Sequence, residues 1–328
     1  MKFYIYDLET LNNCFLFTGK FLGESNIQVF ELSFRKNMRT ELSQFLSHLK
    51  LSNTIMVGYN NLGFDWPIMQ NFMHNPSTFD YVTAYTLCKQ IFAQPYGRNN
   101  MQIWFNDRLI PQLDLMKLNH FDNKARRTSL KSLQFAMRSP SVEDLPFIDR
   151  NLTEAEIEQL IAYNIHDVTE TEKFLQLCMP AVEMRQEFIK DRVLFGDVLN
   201  FSDVKIGEQY LINKIGKDKC YDGKEPRQTY RTQIHFKDVI LPKIHFRTEE
   251  FQAVLDWFNS QSIKINADKK TDKIEYNTTL AGMHCKFALG GVHGSVLKKV
   301  YHSSETHVIV DIDVSGRCIV TGKQVEVS

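Results

Sequence analysis

The first 180 residues predict an α/β fold. Three observations carry this. Short apolar runs at 3–8, 14–17 and 27–34 are separated by turn-forming Gly and Asn, as successive strands are. A continuous apolar run from Thr54 to Tyr59 has the length and composition of a buried strand. Helix-period stripes lie between and after these runs, the clearest of them opened by a capping box at Thr153.

In chain order, Glu41 to Leu49 places Leu42, Phe45, Leu46 and Leu49 on one helical stripe. Asp65 to Met73 reads as helical, with Pro67 tolerated in a first turn, and Tyr81 to Phe92 as a further helix. Gln112 to Leu118 fits a strand or a short connection. From Thr153, the stripe Ile157, Leu160, Ile161, Ile165, Val168 and Leu175 predicts a long helix that Pro180 stops or kinks. The texture beyond it is mixed α+β. Helices are expected over 181–199 and, capped by Ser202 or Asp203, through Ile215. A polar loop at 216–232, a helix at 249–258, a charged stretch at 264–279, a glycine cluster and an apolar run (Val308 to Val314) follow.

The chain has 328 residues, which at about 150 per domain implies roughly two domains. Its 43% hydrophobic and 24% charged residues exclude wholesale disorder. Lys+Arg and Asp+Glu both number 39, so a binder working through bulk positive charge is excluded and any nucleic-acid site must be local. The N-terminus lacks a signal-peptide apolar core, and no apolar run approaches the ~20 residues that cross a bilayer. Six scattered cysteines without a C-x-x-C pair fit a reduced, cytoplasmic protein.

Three acidic patterns occur in order. Asp7 and Glu9 end the first strand, where alternation points both side chains the same way. Two such carboxylates can seat a hard divalent cation, although an exposed acidic strand end has the same pattern. Asp65 closes Asn60-Asn61-Leu62-Gly63-Phe64-Asp65, where the chain leaves a buried strand for a helix; it suits a site or an ordinary helix cap. Tyr163 and Asp167 lie one turn apart on the capped helix, close to its apolar stripe. An acid near the buried side needs a partner or a metal. Together the four carboxylates meet the needs of a two-metal phosphodiester hydrolase, with a tyrosine able to orient the attacking water.

Asp-x-Glu-Thr, Asn-x-x-x-Phe-Asp and Tyr-x-x-x-Asp resemble the Exo I, II and III motifs of the DEDD 3′–5′ exonucleases, and the Tyr resembles the proofreading subclass found in DNA polymerases. The other subclass carries His five residues before the last Asp, where this sequence has Ala162. The resemblance covers about residues 1–180. It implies an RNase H-like fold, two divalent ions (Mg2+ or Mn2+) ligated by Asp7, Glu9, Asp65 and Asp167, and Tyr163 placing the water. It further implies that Asn60, Phe64 and Thr10 contact the terminal nucleotide of a single-stranded or primer-template DNA. Related phage domains carry a Ser-Leu-Lys like Ser129-Leu130-Lys131, which makes Lys131 a candidate phosphate contact; a solvated basic turn fits equally.

Gly290 and Gly291, followed by Val308 to Ser315, resemble the passage into the palm of phage family B DNA polymerases. There a Gly-Gly element contacts template and an aspartate, here Asp313 or Asp311, begins the polymerase metal site. A simple β-turn also accounts for the glycines. The Tyr-Pro that should follow Ser315 is absent, so the expected layout is an exonuclease domain (1–180), an accessory region (181–300), an incomplete palm start (301–317) and a tail (318–328). That tail resembles an intein start with Cys318 as nucleophile, or a frameshifted end. On these grounds the chain is expected to degrade DNA from the 3′ end and not to polymerise alone, with a second chain able to supply the rest. The alternatives are a stand-alone DEDD exonuclease on RNA or DNA and an inactive DNA-binding fragment.

Overall fold

The computed structural model describes residues 2–94, 101–123, 127–145, 147, 150–227, 231–264, 273–280, 282–296 and 299–310. The chain forms two compact units, Met1–Arg227 and Gln228–Ser328.

The first unit is α/β. Strands β1 (Phe3–Leu11), β2 (Cys14–Phe21) and β3 (Ile27–Ser33) form an antiparallel meander. Helix α1 (Arg39–Leu51) then leads into β4 (Ile55–Gly58), which lies parallel to β1, and helices α2 (Asp65–His74) and α3 (Tyr81–Phe92) precede β5 (Gln112–Asp114), parallel to β4. The sheet order is β3-β2-β1-β4-β5, so β1 is central and paired on both sides.

Strand alternation sorts β1 between two cores. Tyr4, Tyr6 and Leu8 face one side, packing with Phe15, Phe17 and Met56 against Leu42, Leu46 and Leu49 of α1, Trp66 and Phe72 of α2 and Ala84 of α3. Phe3 and Ile5 face the other, with Val57 and Leu113, against Leu133 of α5 (Leu130–Ala136) and Val168, Phe174 and Leu175 of α6 (Glu154–Lys190). Leu11 and Leu16 extend that second layer onto Ile157 and Leu160 of α6. Aromatic pairs stiffen the first core: Tyr6 and Phe17 lie 5.6 Å apart, and Phe15 and Phe79 also 5.6 Å.

Most predicted elements form within a residue or two of their expected ends. Gln112 to Leu118 resolves into β5 followed by one helical turn, α4 (Leu115–Leu118). The long helix does not stop at Pro180, and the helix expected over 181–199 is its continuation, which ends at Lys190. Helix α6 runs on for 37 residues, from Thr153, whose capping box with Glu156 is complete, to Lys190. Pro180 is exposed, and so is Gln176, whose carbonyl the proline cannot pair, so water can take its place. Buried Cys178, Val182 and Arg185 hold the helix on either side. The Arg185 guanidinium donates to the Phe201 carbonyl at 2.8 Å and to Asp203 at 2.7 Å, tying the end of α6 to the next segment. Ser202 caps α7 (Asp203–Ile215), as its sequence predicts. The expected loop at 216–232 contains one helical turn, α8 (Lys217–Cys220), and a minimal hairpin of β6 (Tyr221–Asp222) and β7 (Glu225–Pro226).

In the second unit β8 (Gln233–His235) pairs antiparallel with β9 (Ser262–Lys264) around helix α9 (Glu249–Ser260). Phe236, Ile263 and Ile274 form a small core with Trp257 and Phe258. Strands β10 (Glu275–Leu280), β11 (Met283–Ala288) and β12 (Gly291–Ser295) make an antiparallel sheet. Among the described residues, no helix is long and apolar enough to cross a membrane.

Candidate active site: a carboxylate cluster between the central strand and the long helix

Asp7 and Glu9 continue the odd-numbered face of β1 beyond Ile5, so they point toward α6 where the apolar packing ends. On α6 the buried stripe passes through Ile157 and Leu160, continues as Tyr163, Asn164 and Asp167, and resumes at Val168, Thr171 and Phe174. Polar side chains thus occupy positions that core residues would otherwise fill. The result is one group: carboxylate oxygens of Asp7, Glu9 and Asp167 lie within 4.8 Å of one another, although about 160 residues separate the strand from the helix.

Asp65, the first residue of α2, stands outside that set of three but acts on it, since its charge raises Asp7 and Glu9. It does not cap α2. Its side chain makes no capping hydrogen bond, and the residue is buried. Burial and then the neighbouring acids hold Asp7 well above the ordinary carboxylate range. Burial, with Asp167 and Asp65, pushes Glu9 up to about 8, while the Lys131 charge pulls it down. Asp65 is pushed up to about 7, mainly by burial, and Asp167 is raised by burial despite hydrogen bonds from Tyr163 and Gln134.

Burial, then the charges of Asp167 and Glu9, raise the Tyr163 phenol and keep it protonated. Asn164 Nδ2 donates to Asp7 Oδ2 at 2.6 Å, and Gln134 Nε2 donates to Asp167 Oδ1 at 3.0 Å. Lys131, on the first turn of α5, is ion-paired with Asp144, and its charge acts on Glu9 and Asp167. His166 points off the cluster, its Nδ1 4.0 Å from Glu143.

The loop carrying Asn60, Phe64 and Asp65 is built by Asp114. This fully buried acid at the end of β5 accepts the backbone N–H groups of Asn60 (2.9 Å), Leu62 (3.2 Å), Met116 (2.9 Å) and Lys117 (3.4 Å). Burial nonetheless outweighs those donors and pushes it up to about 6. Asn60 sits at φ +61°, a left-handed conformation that Asn tolerates, and its carbonyl accepts from Gly63 and Phe64. A Cβ on Gly63 would come within 2.6 Å of Asn60 Oδ1, so a larger residue there would displace the Asn60 side chain. The Phe64 ring lies 5.4 Å from that of Phe92, which is 72% exposed.

The structure brings Asp7, Glu9, Asp65, Tyr163, Asp167 and Lys131 into one neighbourhood. Thr10, paired with Phe15, falls on the other face of β1 from Asp7 and Glu9. Gly290 and Gly291 belong to the second unit, where they turn β11 into β12: Ala288 pairs with Gly291, which sits at φ +127° and is exposed. Asp311, Asp313 and Cys318 lie outside the described residues. Sequence reasoning missed Gln134 and the structural part played by Asp114. Gln134 had a faint signal, a polar residue in a helical stripe with Leu130, Leu133 and Met137.

An all-oxygen carboxylate set suits a hard divalent cation, Mg2+ or Mn2+. The residues fit one: burial disfavours each carboxylate's charge unless a counter-charge arrives, and Asn164 Oδ1 and Gln134 Oε1 are buried beside the cluster without a hydrogen-bond partner.

No protein-family model matches the chain, and no curated protein matches it. Among solved structures, the family B DNA polymerase from the hyperthermophilic archaeon Pyrobaculum calidifontis is similar, with a TM-score of 0.43 and 13% identity over 70% of this chain. The similarity spans 31% of that polymerase's length.

Proposed function

We propose that the chain is a metal-dependent 3′–5′ exodeoxyribonuclease, the RNase H-like proofreading portion (residues 1–180) of a phage-type family B DNA polymerase. The observation that carries this is the meeting of Asp7, Glu9 and Asp167 beside Asp65 and Tyr163, in the order and spacing of the three exonuclease motifs. The sheet order β3-β2-β1-β4-β5, with β1 antiparallel to β2 and parallel to β4, supports the RNase H-like assignment.

Asp7, Glu9, Asp65 and Asp167 would hold two divalent ions, whose chemistry when bound is to activate a water and stabilise the departing oxygen. Tyr163, one turn from Asp167, orients the attacking water with its protonated hydroxyl. Asn60 and Phe64, on the turn that Asp114 holds, grip the terminal nucleotide. Lys131 offsets phosphate charge locally, which lets a chain of zero net charge handle DNA.

The test is a 5′-labelled single-stranded oligonucleotide incubated with the full chain and Mg2+ or Mn2+. A descending ladder from the 3′ end is expected, lost without metal and in Asp7→Ala/Glu9→Ala. Equal behaviour of wild type and double variant overturns the proposal. A matching RNA oligonucleotide tests the preference for DNA.

A further inference from the structure

Two buried amides hold two acids of the cluster. Asn164, on α6, and Gln134, on α5, are both fully buried. Each gives one N–H to one oxygen of a cluster carboxylate, Asp7 Oδ2 and Asp167 Oδ1 respectively. Each also leaves its own carbonyl oxygen buried with no hydrogen-bond donor. Folding alone gives no reason for this, since an unpaired buried carbonyl is destabilising and an apolar side chain of equal size would remove the penalty.

The choice of amide has a charge logic. Lys or Arg at these positions would neutralise the cluster and weaken its attraction for a cation. Asp or Glu would add repulsion among three acids already within 4.8 Å. An amide N–H fixes one carboxylate oxygen without adding net charge. The two amides come from different helices, so Asp7 and Asp167 are oriented independently. Glu9 receives no such amide bond among the described residues; the Lys131 charge acts on it and on Asp167, against burial and the neighbouring acids.

We infer that Gln134 and Asn164 are positioning residues that orient Asp167 and Asp7 for a divalent cation, at the expense of fold stability. The inference rests on the metal-dependent function above. Gln134→Met and Asn164→Leu, near-isosteric and without donors, test it in the full chain, with Mn2+ binding read by electron paramagnetic resonance and stability by urea denaturation. Expected is Mn2+ binding weaker by tenfold or more, the usual effect of losing a hydrogen bond to a metal ligand, with urea midpoints equal to or above wild type. A merely structural pair gives the opposite pattern, unchanged Mn2+ binding with a lowered midpoint or failure to fold, and overturns the inference. So does unchanged binding at an unchanged midpoint. The control separates the two levels: if wild type binds no Mn2+, or Asp7→Ala/Glu9→Ala binds it equally, the nuclease function itself fails.

Discussion

Glu9 and Asp65 carry the cost of burying the cluster in a form that titration can read. Their values rise from 4.5 to about 8 and from 3.8 to about 7, chiefly by burial. Between the unfolded and folded values the folded chain binds more protons than the unfolded one, so metal-free stability falls as pH rises from about 4 to 8. Thermal denaturation in chelator should show the melting temperature dropping from pH 5 to pH 8, and Glu9→Gln should flatten the drop. A melting temperature that climbs over this range in both proteins refutes the burial account. Tyr163→Phe keeps the ring and removes the hydroxyl, whose protonation burial and the Asp167 charge favour. Single-turnover hydrolysis should slow on the order of 10²-fold, with Mn2+ binding retained; loss of binding would assign Tyr163 to metal retention instead.

At the scale of elements, one acid and one proline make separable predictions. Asp114 gathers four backbone N–H groups from the turn after β4 and from α4. Asp114→Ala leaves those donors unpaired in a buried site, so urea denaturation should show a loss of about 2–3 kcal/mol or more. A loss under 1 kcal/mol would mean that the loop holds its shape without the acid. Pro180 removes one hydrogen bond from α6 on its exposed face. Pro180→Ala should raise stability by up to about 3 kcal/mol, and a destabilised variant would show that the proline shapes the packing of Cys178 and Val182. The sequence located the helix and its cap, because periodicity and capping are local. It could not foretell continuation past Pro180, because that depends on which face meets solvent and on Arg185 reaching Phe201 and Asp203.

At the scale of the whole molecule, the first unit, ending at Arg227, contains the carboxylate cluster, the three largest cores and the complete five-stranded sheet. A chain of residues 1–227 should therefore fold alone and bind Mn2+ within about threefold of the full chain, as checked by circular dichroism and metal titration. An unfolded fragment would mean that the second unit is required for stability. The sequence by itself determined the α/β class and most elements of the first unit, and singled out the acids as candidates, because alternation, helical stripes, caps and motif spacing act over a few residues. Only the tertiary structure decided that Asp7, Glu9 and Asp167 meet while Asp65 stands beside them, that Thr10 turns away, and that Gln134 and Asn164 hold two of the acids. Those outcomes depend on the register of β1 against α6 and on the docking of α5 beside both. That register is set by Ile5, Val57, Leu133, Val168 and Leu175 packing together, contacts that span more than a hundred residues and leave no local trace in the chain.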